Sequence, residues 1–196
     1  TVSYRVMVPV ASPAEADGAV SLMLQRAWYA SQRAGLHLDN VKSNREEKQA
    51  YIAEHLPILG ASLGLGDDAI ATMLAGARLL PFAAGEIIQA PRSVPRAMGF
   101  ITDGEVEMFV KTDDGRRLSL GELGVGDYIG ASALTRQRMT VGVVAVADTV
   151  IVAVAREAMN VIVQQDHRLA RQIGETLEIR RRAAREALAE AAHGVR

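Results

Sequence analysis

From Leu79 onward the chain runs as short apolar stretches divided by turn signals at regular intervals, a pattern that marks an all-β sandwich or barrel. Phe82 to Gln89 is split by Gly85, and Ala97 to Thr102 leads into a turn at Asp103-Gly104. Val106, Met108 and Val110 then alternate with polar neighbours, as one face of a strand requires. Asp113-Asp114-Gly115 predicts a hairpin before Leu118 and Leu120, because such turns need positive φ. Met139 to Ala147 and Val150 to Ala155 read as two further strands that pair around Ala147-Asp148 and close the barrel. A short helix over Arg156 to Val163 follows. A longer one over Gln165 to Ala192 carries Leu169, Ile173, Leu177 and Leu188 on one side.

The pattern before Leu79 is different. Tyr4 to Val10 reads as a strand, and Ser12, Pro13 and Glu15 supply a cap, a first helical residue and a capping-box partner. Val20, Met23, Leu24, Ala27 and Ala30 recur at helical spacing until Arg33 and Gly35 end the element. A β-α unit of this size is too small to bury a core of its own. The stretch from His37 to Asn44 is polar and aperiodic, and Ser43 or Asn44 with Glu46 and Glu47 starts a second helix that Pro57 is expected to interrupt. Asp67 or Asp68 is expected to cap a third helix, whose stripe is Ile70, Met73, Leu74 and Ala77. The resulting class is mainly β with flanking helices: a β jelly-roll barrel with C-terminal helices, preceded by a small β-α segment. Its divisions fall at residues 1–38, 39–78 and 79–196.

Composition narrows the function. A net charge of −1 over 196 residues argues against a surface built for nucleic acid, so any anion site is local. The absence of cysteine removes disulfides, thiolate metal sites and thiol nucleophiles. The longest apolar run, Val141 to Ala155, is broken by Asp148 and Thr149 and is too short for a bilayer span. The chain opens at Thr1 in a strand-like run without a signal peptide, as expected of a piece of something longer. The four histidines, His37, His55, His167 and His193, lie outside the predicted strands, so no metal site of the barrel-enzyme type is expected. Ser132 has neither a nearby histidine nor a nucleophile elbow, and no enzymatic activity is expected. Arg180, Arg181, Arg182 and Arg185 alternate with Glu175, Glu178, Glu186 and Glu190, which predicts a solvated, salt-bridged helix face.

The stretch GELGVGDYIGASALTRQRMTVGVVAVA, Gly121 to Ala147, concentrates glycine beside a short helical segment and an arginine. Gly124, Gly126 and Gly130 permit positive φ, so that the N–H groups of Ala131, Ser132 and Ala133 can converge on an anion at a helical turn. Arg138 would add formal charge and a planar fork of donors suited to a phosphate diester. The alternative use of these glycines is to turn the corners of the barrel.

Over roughly residues 50 to 190 the chain resembles a cyclic nucleotide-binding domain. The resemblance rests on LLPFAAGEII, on GFITDGEVEMFV, on GDYIGASAL with RMTVGVVAVAD, and on the closing helices. It implies that Gly130 and the N–H groups of Ala131, Ser132 and Ala133 hold a cyclic phosphate, that Arg138 pairs with its charge, that Met139 is a further ligand-binding residue, and that Thr140 lies where it can reach the purine or the phosphate. It further implies Thr176, Ile179 and Arg180 as lids over the base. One departure stands out: the family usually places a glutamate after the cassette glycine to accept the ribose 2′-hydroxyl, and this chain has Ala131. Loss of that bond should weaken binding about ten- to a hundredfold.

The leading segment is similar to the end of the cytoplasmic α/β domain of small-conductance mechanosensitive channels, notably at Trp28-Tyr29 and Arg33-Ala34-Gly35. Together the two resemblances imply the cytoplasmic tail of a bacterial cyclic nucleotide-gated channel. The expected ligand is cAMP rather than cGMP, with no other cofactor. The expected partner is an upstream membrane channel domain in a homo-oligomer at the cytoplasmic face of the membrane. No nucleic-acid partner is expected, since no DNA-reading helix pair follows residue 192. The competing expectation is a degenerate domain that binds no nucleotide and serves as an assembly or interaction module.

Overall fold

A computed structural model describes residues 6–36 and 45–193 of the chain, which divides into two compact units over residues 1–43 and 44–196. In the first unit a 3-10 turn, Pro13–Glu15, runs into helix α1, Ala16–Ala34. Gly35 ends that helix in the left-handed conformation at φ +70°, as its position in the sequence predicts. Ser12 precedes the turn but makes no side-chain cap. Residues 6–10 are not a strand, contrary to expectation, and residues 4 and 5 lie outside the described residues. A strand needs a neighbour to bond to, and the described residues of this unit hold no other. Val20, Leu24 and Trp28 of α1 are exposed.

The second unit opens with α2, Arg45–Ser62, and α3, Asp67–Ala75. Pro57 sits inside α2 rather than breaking it. The ring costs the helix one backbone bond, but Ile52, Leu56 and Leu59 anchor the turns on both sides in the core. The residue flanking α3 is Gly66, without a side-chain cap, and Asp67 and Asp68 instead occupy the first turn, where they oppose the helix dipole.

Eight strands follow in two antiparallel sheets. Strands β1 (Ala77–Phe82), β2 (Ile87–Gln89), β3 (Ala97–Asp103), β4 (Val106–Lys111) and β5 (Arg117–Leu123) lead to the short β6 (Tyr128–Ile129). A single turn, α4 (Ser132–Thr135), separates β6 from β7 (Gly142–Ala145) and β8 (Thr149–Ala155). The first sheet has the order β1-β8-β3-β6 and the second β2-β7-β4-β5. The strands expected to pair around Ala147-Asp148 therefore lie in different sheets. The corner carries the chain across, held by Thr149 Oγ1 donating to the carbonyls of Ala147 and Glu105 and by Ala84 N–H donating to Asp148. The β4–β5 hairpin forms where Asp113-Asp114-Gly115 predicts it, with Gly115 at φ +86°. Bonds from the Thr112 hydroxyl and from Arg116 hold the Asp114 carboxyl down at about 2.

The first sheet is apolar on both faces. Met98, Phe100, Val152 and Val154 meet α2, α3 and the closing helices α5 (Arg156–Gln165) and α6 (His167–His193). Phe82, Ile101, Ile129 and Ile151 on the other face meet Val106, Val143 and Ala145 of the second sheet. Helix α6 covers a part of the second sheet with Leu177 and Ala184.

Asp166 caps α6, its carboxylate accepting the N–H groups of Arg168 at 2.9 Å and Leu169 at 3.0 Å. The Leu169 bond, with that from Arg168 and the Arg168 charge, lowers the carboxyl below its ordinary value. Such a group stabilises the fold above the ordinary Asp range, near pH 4, and loses that effect as pH falls through its folded value. We expect Asp166→Ala to lower Tm by a few degrees at neutral pH. In thermal melts on acidification, the difference from the parent chain should close.

Candidate functional site

The Gly121–Ala147 segment folds as a loop, a strand, a helical turn and a strand. Gly126 (φ +96°) and Gly124 form the turn between β5 and β6, with Gly124 N–H donating to Asp127 at 3.0 Å. They turn a corner of the roll, and only Gly130 of the three reaches a cavity beside the helical turn. Gly130 has φ +71°, and a Cβ there would lie 2.6 Å from the carbonyl oxygen of Ala97. No other residue fits this approach.

Helix α4 follows at once, with Ala131 as its flanking residue. Ala131 and Ser132 are buried at 1% exposure each. The N–H of Ala133 donates to Gly130 O at 2.9 Å, so that group is committed inside the turn and does not converge on an anion. Arg136 ends α4 in the left-handed conformation at φ +53°. Beyond it Met139 and Val141 point into the core, and the two-residue alternation of extended chain turns Arg138 and Thr140 outward. Both are exposed, and neither lines the cavity. The expectation that Arg138 faces the cassette therefore fails in this conformation.

The cavity is small, about 20 Å3. It is lined by Gly130, Ala131, Ser132 and Met139 from the cassette, by Met108 of β4, and by Leu177 and Arg180 of α6. That is room for about one water. A ligand pocket for a drug-sized molecule spans about 300 to 1,000 Å3.

Helix α6 closes it. Arg180 Nη2 donates to Tyr128 O at 2.9 Å, and its guanidinium carbon sits 5.5 Å from the centre of the Tyr128 ring. Burial lowers the Arg180 pKa, an effect opposed by the neighbouring Tyr128 and Asp127. Tyr128 OH donates to Thr176 Oγ1 at 2.9 Å, and Arg181 donates to Gln137 just past α4. Thr176 and Arg180 thus stand where a lid would, whereas Ile179 is 58% exposed and faces away. Leu177, which fills the gap, and Tyr128, which holds the helix, were not singled out from the sequence as site residues. The helical spacing of Ile173, Leu177 and Arg180 was the signal for them, since three- and four-residue steps share one face.

Among the described residues no group of three or more His, Asp or Glu stands together as a metal site, and no helix is long and apolar enough to cross a membrane. Gly130→Ala is expected to cost roughly 2 kcal/mol or more, because positive φ and the Ala97 carbonyl both oppose a methyl. Urea denaturation measures this, and a loss no larger than at an exposed site such as Thr140→Ala would contradict the geometry.

Residues 79–166 match the profile of the family described as "Cyclic nucleotide-binding domain". Among solved structures, the regulatory domain of Toxoplasma gondii PKA with cAMP is 13% identical, with a TM-score of 0.59 over 70% of this chain and 52% of that one. The regulatory subunit of a cAMP-independent protein kinase A from Trypanosoma brucei is 16% identical, with a TM-score of 0.58 over 69% and 51%. The Thermus thermophilus catabolite activator protein is 24% identical, with a TM-score of 0.51 over 68% and 61%. The chain thus spans about half the length of the kinase regulatory chains it matches. No curated protein matches it. The family match and the two-sheet roll with its closing helices give the segment from Leu79 to Asp166 the fold of a cyclic nucleotide-binding domain.

Proposed function

We propose that this domain is a regulatory module that takes a cyclic purine nucleotide, cAMP before cGMP, and passes the event to an attached membrane channel. One observation carries the reading: the cassette and α6 line the same cavity, whose volume of about 20 Å3 is far too small for a nucleotide, so a ligand needs the helix to move. Entry breaks the bonds from Arg180 to Tyr128 O and from Tyr128 OH to Thr176. The phosphate then meets Gly130 and the start of α4, and Arg180, already beside them, supplies the positive charge that Arg138 does not. No bond of the nucleotide is made or broken.

The closed form taxes binding, because apparent affinity falls with the fraction of molecules whose α6 is open. Ala131 adds to this weakness by offering no acceptor to a ribose hydroxyl. The link to a channel at the cytoplasmic face of a membrane, and to a homo-oligomer, rests on the resemblance of the leading segment. It is supported by the exposed stripe Val20, Leu24 and Trp28 on α1, an apolar face suited to a neighbour.

A second reading has its own support. A filled cavity, an outward Arg138 and Ala131 together suit a module that needs no nucleotide and acts by interaction alone.

Calorimetry with cAMP and cGMP separates the two. We expect weak binding to the parent chain, at least fivefold tighter binding to Leu177→Ala, which loosens the lid, and a change below threefold in Arg138→Ala; these thresholds are of the order expected for a small shift in a two-state equilibrium. Absence of heat with both nucleotides in both the parent chain and Leu177→Ala would leave the interaction module. Hydrophobic spans of about twenty residues in the upstream coding sequence would support the channel, and their absence would remove it.

A further inference from the structure

A second and much larger cavity, about 550 Å3, lies between the first sheet and strand β2 of the second. Its apolar wall is built by Leu80 and Phe82 of β1, Ile88 of β2, Ile129 of β6 and Ile151 of β8. Small residues make the room: Ala97 stands opposite Ala155 and Gly99 opposite Ala153 across β3 and β8, and all four line the space. Gly99 lets the floor lie close to the sheet, since a Cβ there would stand 2.8 Å from Ile151 and 3.2 Å from Ile129. At the next pair, Ile101 opposite Ile151, packing with Val106 and Val143 closes the inner end. The outer end opens where Arg78, Ala90, Arg96 and Glu157 are exposed.

The polar side chains around this space are already engaged. Gln89 Nε2 donates to Val141 O at 3.3 Å, and Ser93 Oγ donates to Ala90 O at 2.5 Å. Glu157 is bridged to Arg156 at 2.8 Å, and Arg78 has an interaction partner of its own. Arg96, at the mouth, is exposed to water. A buried water needs two to four polar partners, and the aliphatic wall offers no side chain of that kind; an apolar space takes apolar guests.

We propose that this cavity is a binding site for an uncharged medium-chain aliphatic molecule such as an alcohol, its chain against Leu80, Phe82, Ile88 and Ile151 and its polar end at the open mouth. The volume falls in the range of small-molecule pockets, about 300 to 1,000 Å3. Binding then comes from apolar surface leaving water, and a charged head gains little where the ionic groups of the mouth are paired or hydrated. The site is separate from the cassette cavity and does not depend on nucleotide binding, although Gln89, Ile129 and Gly130 line both.

Calorimetry and 13C-methyl NMR on the whole chain with 1-hexanol, 1-octanol and octanoate test this. Octanol should bind and shift the methyl signals of Ile88 and Ile151, while those of Met108 and Leu177 beside the cassette stay in place. It should bind at least fivefold more tightly than hexanol, because two further methylenes leave water. Octanoate should bind no more than fivefold more tightly than octanol, the reach of one exposed cation such as Arg96. Ala155→Phe, which fills the opening, should weaken octanol at least tenfold; Ala97→Leu serves if that variant does not fold. No binding of octanol, a smaller gain with chain length, a stronger preference for the acid, unchanged binding in a folded filled variant, or shifts confined to Met108 and Leu177 would each overturn the proposal.

Discussion

A sheet that is apolar on both faces governs this fold. Strand β3 is buried along nearly its whole length, and β8 likewise, so neither side of the first sheet can be left to water. One side requires helices and the other requires a second sheet, which is why α2 and α3, lying before the β region in sequence, belong to its core. The cassette leaves the sheet edge at β6 and must cross between these layers. Its position beside α6 is thus a result of packing, not of any ligand.

The closing contacts of α6 are polar at their ends and apolar at their centre. Leu177 leaves water, whereas Arg180 gives up hydration for a carbonyl and the face of a ring. Such a guanidinium loses hydration that the neighbouring Tyr128 and Asp127 offset only in part, so it gains less from closure than an ion-paired one would. The helix is therefore held firmly by its apolar seam and less firmly at the cassette. A structural element with unequal holds along its length can release one end while the other stays fixed.

Much of the architecture was legible in the sequence because the physical signals were local. Alternation at Val106, Met108 and Val110, the hairpin at Asp113-Asp114-Gly115 and the cap at Gly35 each depend on residues within one element. The errors arose where distant residues decide. Pro57 stays within α2 since the core outweighs one missing bond, and residues 6–10 form no strand for want of a partner. The strands on either side of Ala147-Asp148 join different sheets because inter-strand pairing is not encoded in a turn alone. At the site, Gly130 could be read from its type, but the outward turn of Arg138 follows from Met139 and Val141 taking the core side of the chain, after Arg136 ends α4 at a positive φ uncommon for arginine. Arg180 was named as a lid from resemblance; its link to Tyr128 O spans 52 residues and no spacing rule reveals it.

Gly130 and its neighbour Ile129 form a wall only one strand thick, with the cassette cavity on one side and the inter-sheet space on the other. Only the missing side chain of Gly130 lets this partition lie so near the Ala97 carbonyl, where an added Cβ would stand 2.6 Å away. Reciprocity follows from thermodynamics alone: a guest that bends this partition from either chamber must alter the welcome given to a guest in the other, by the same factor in both directions.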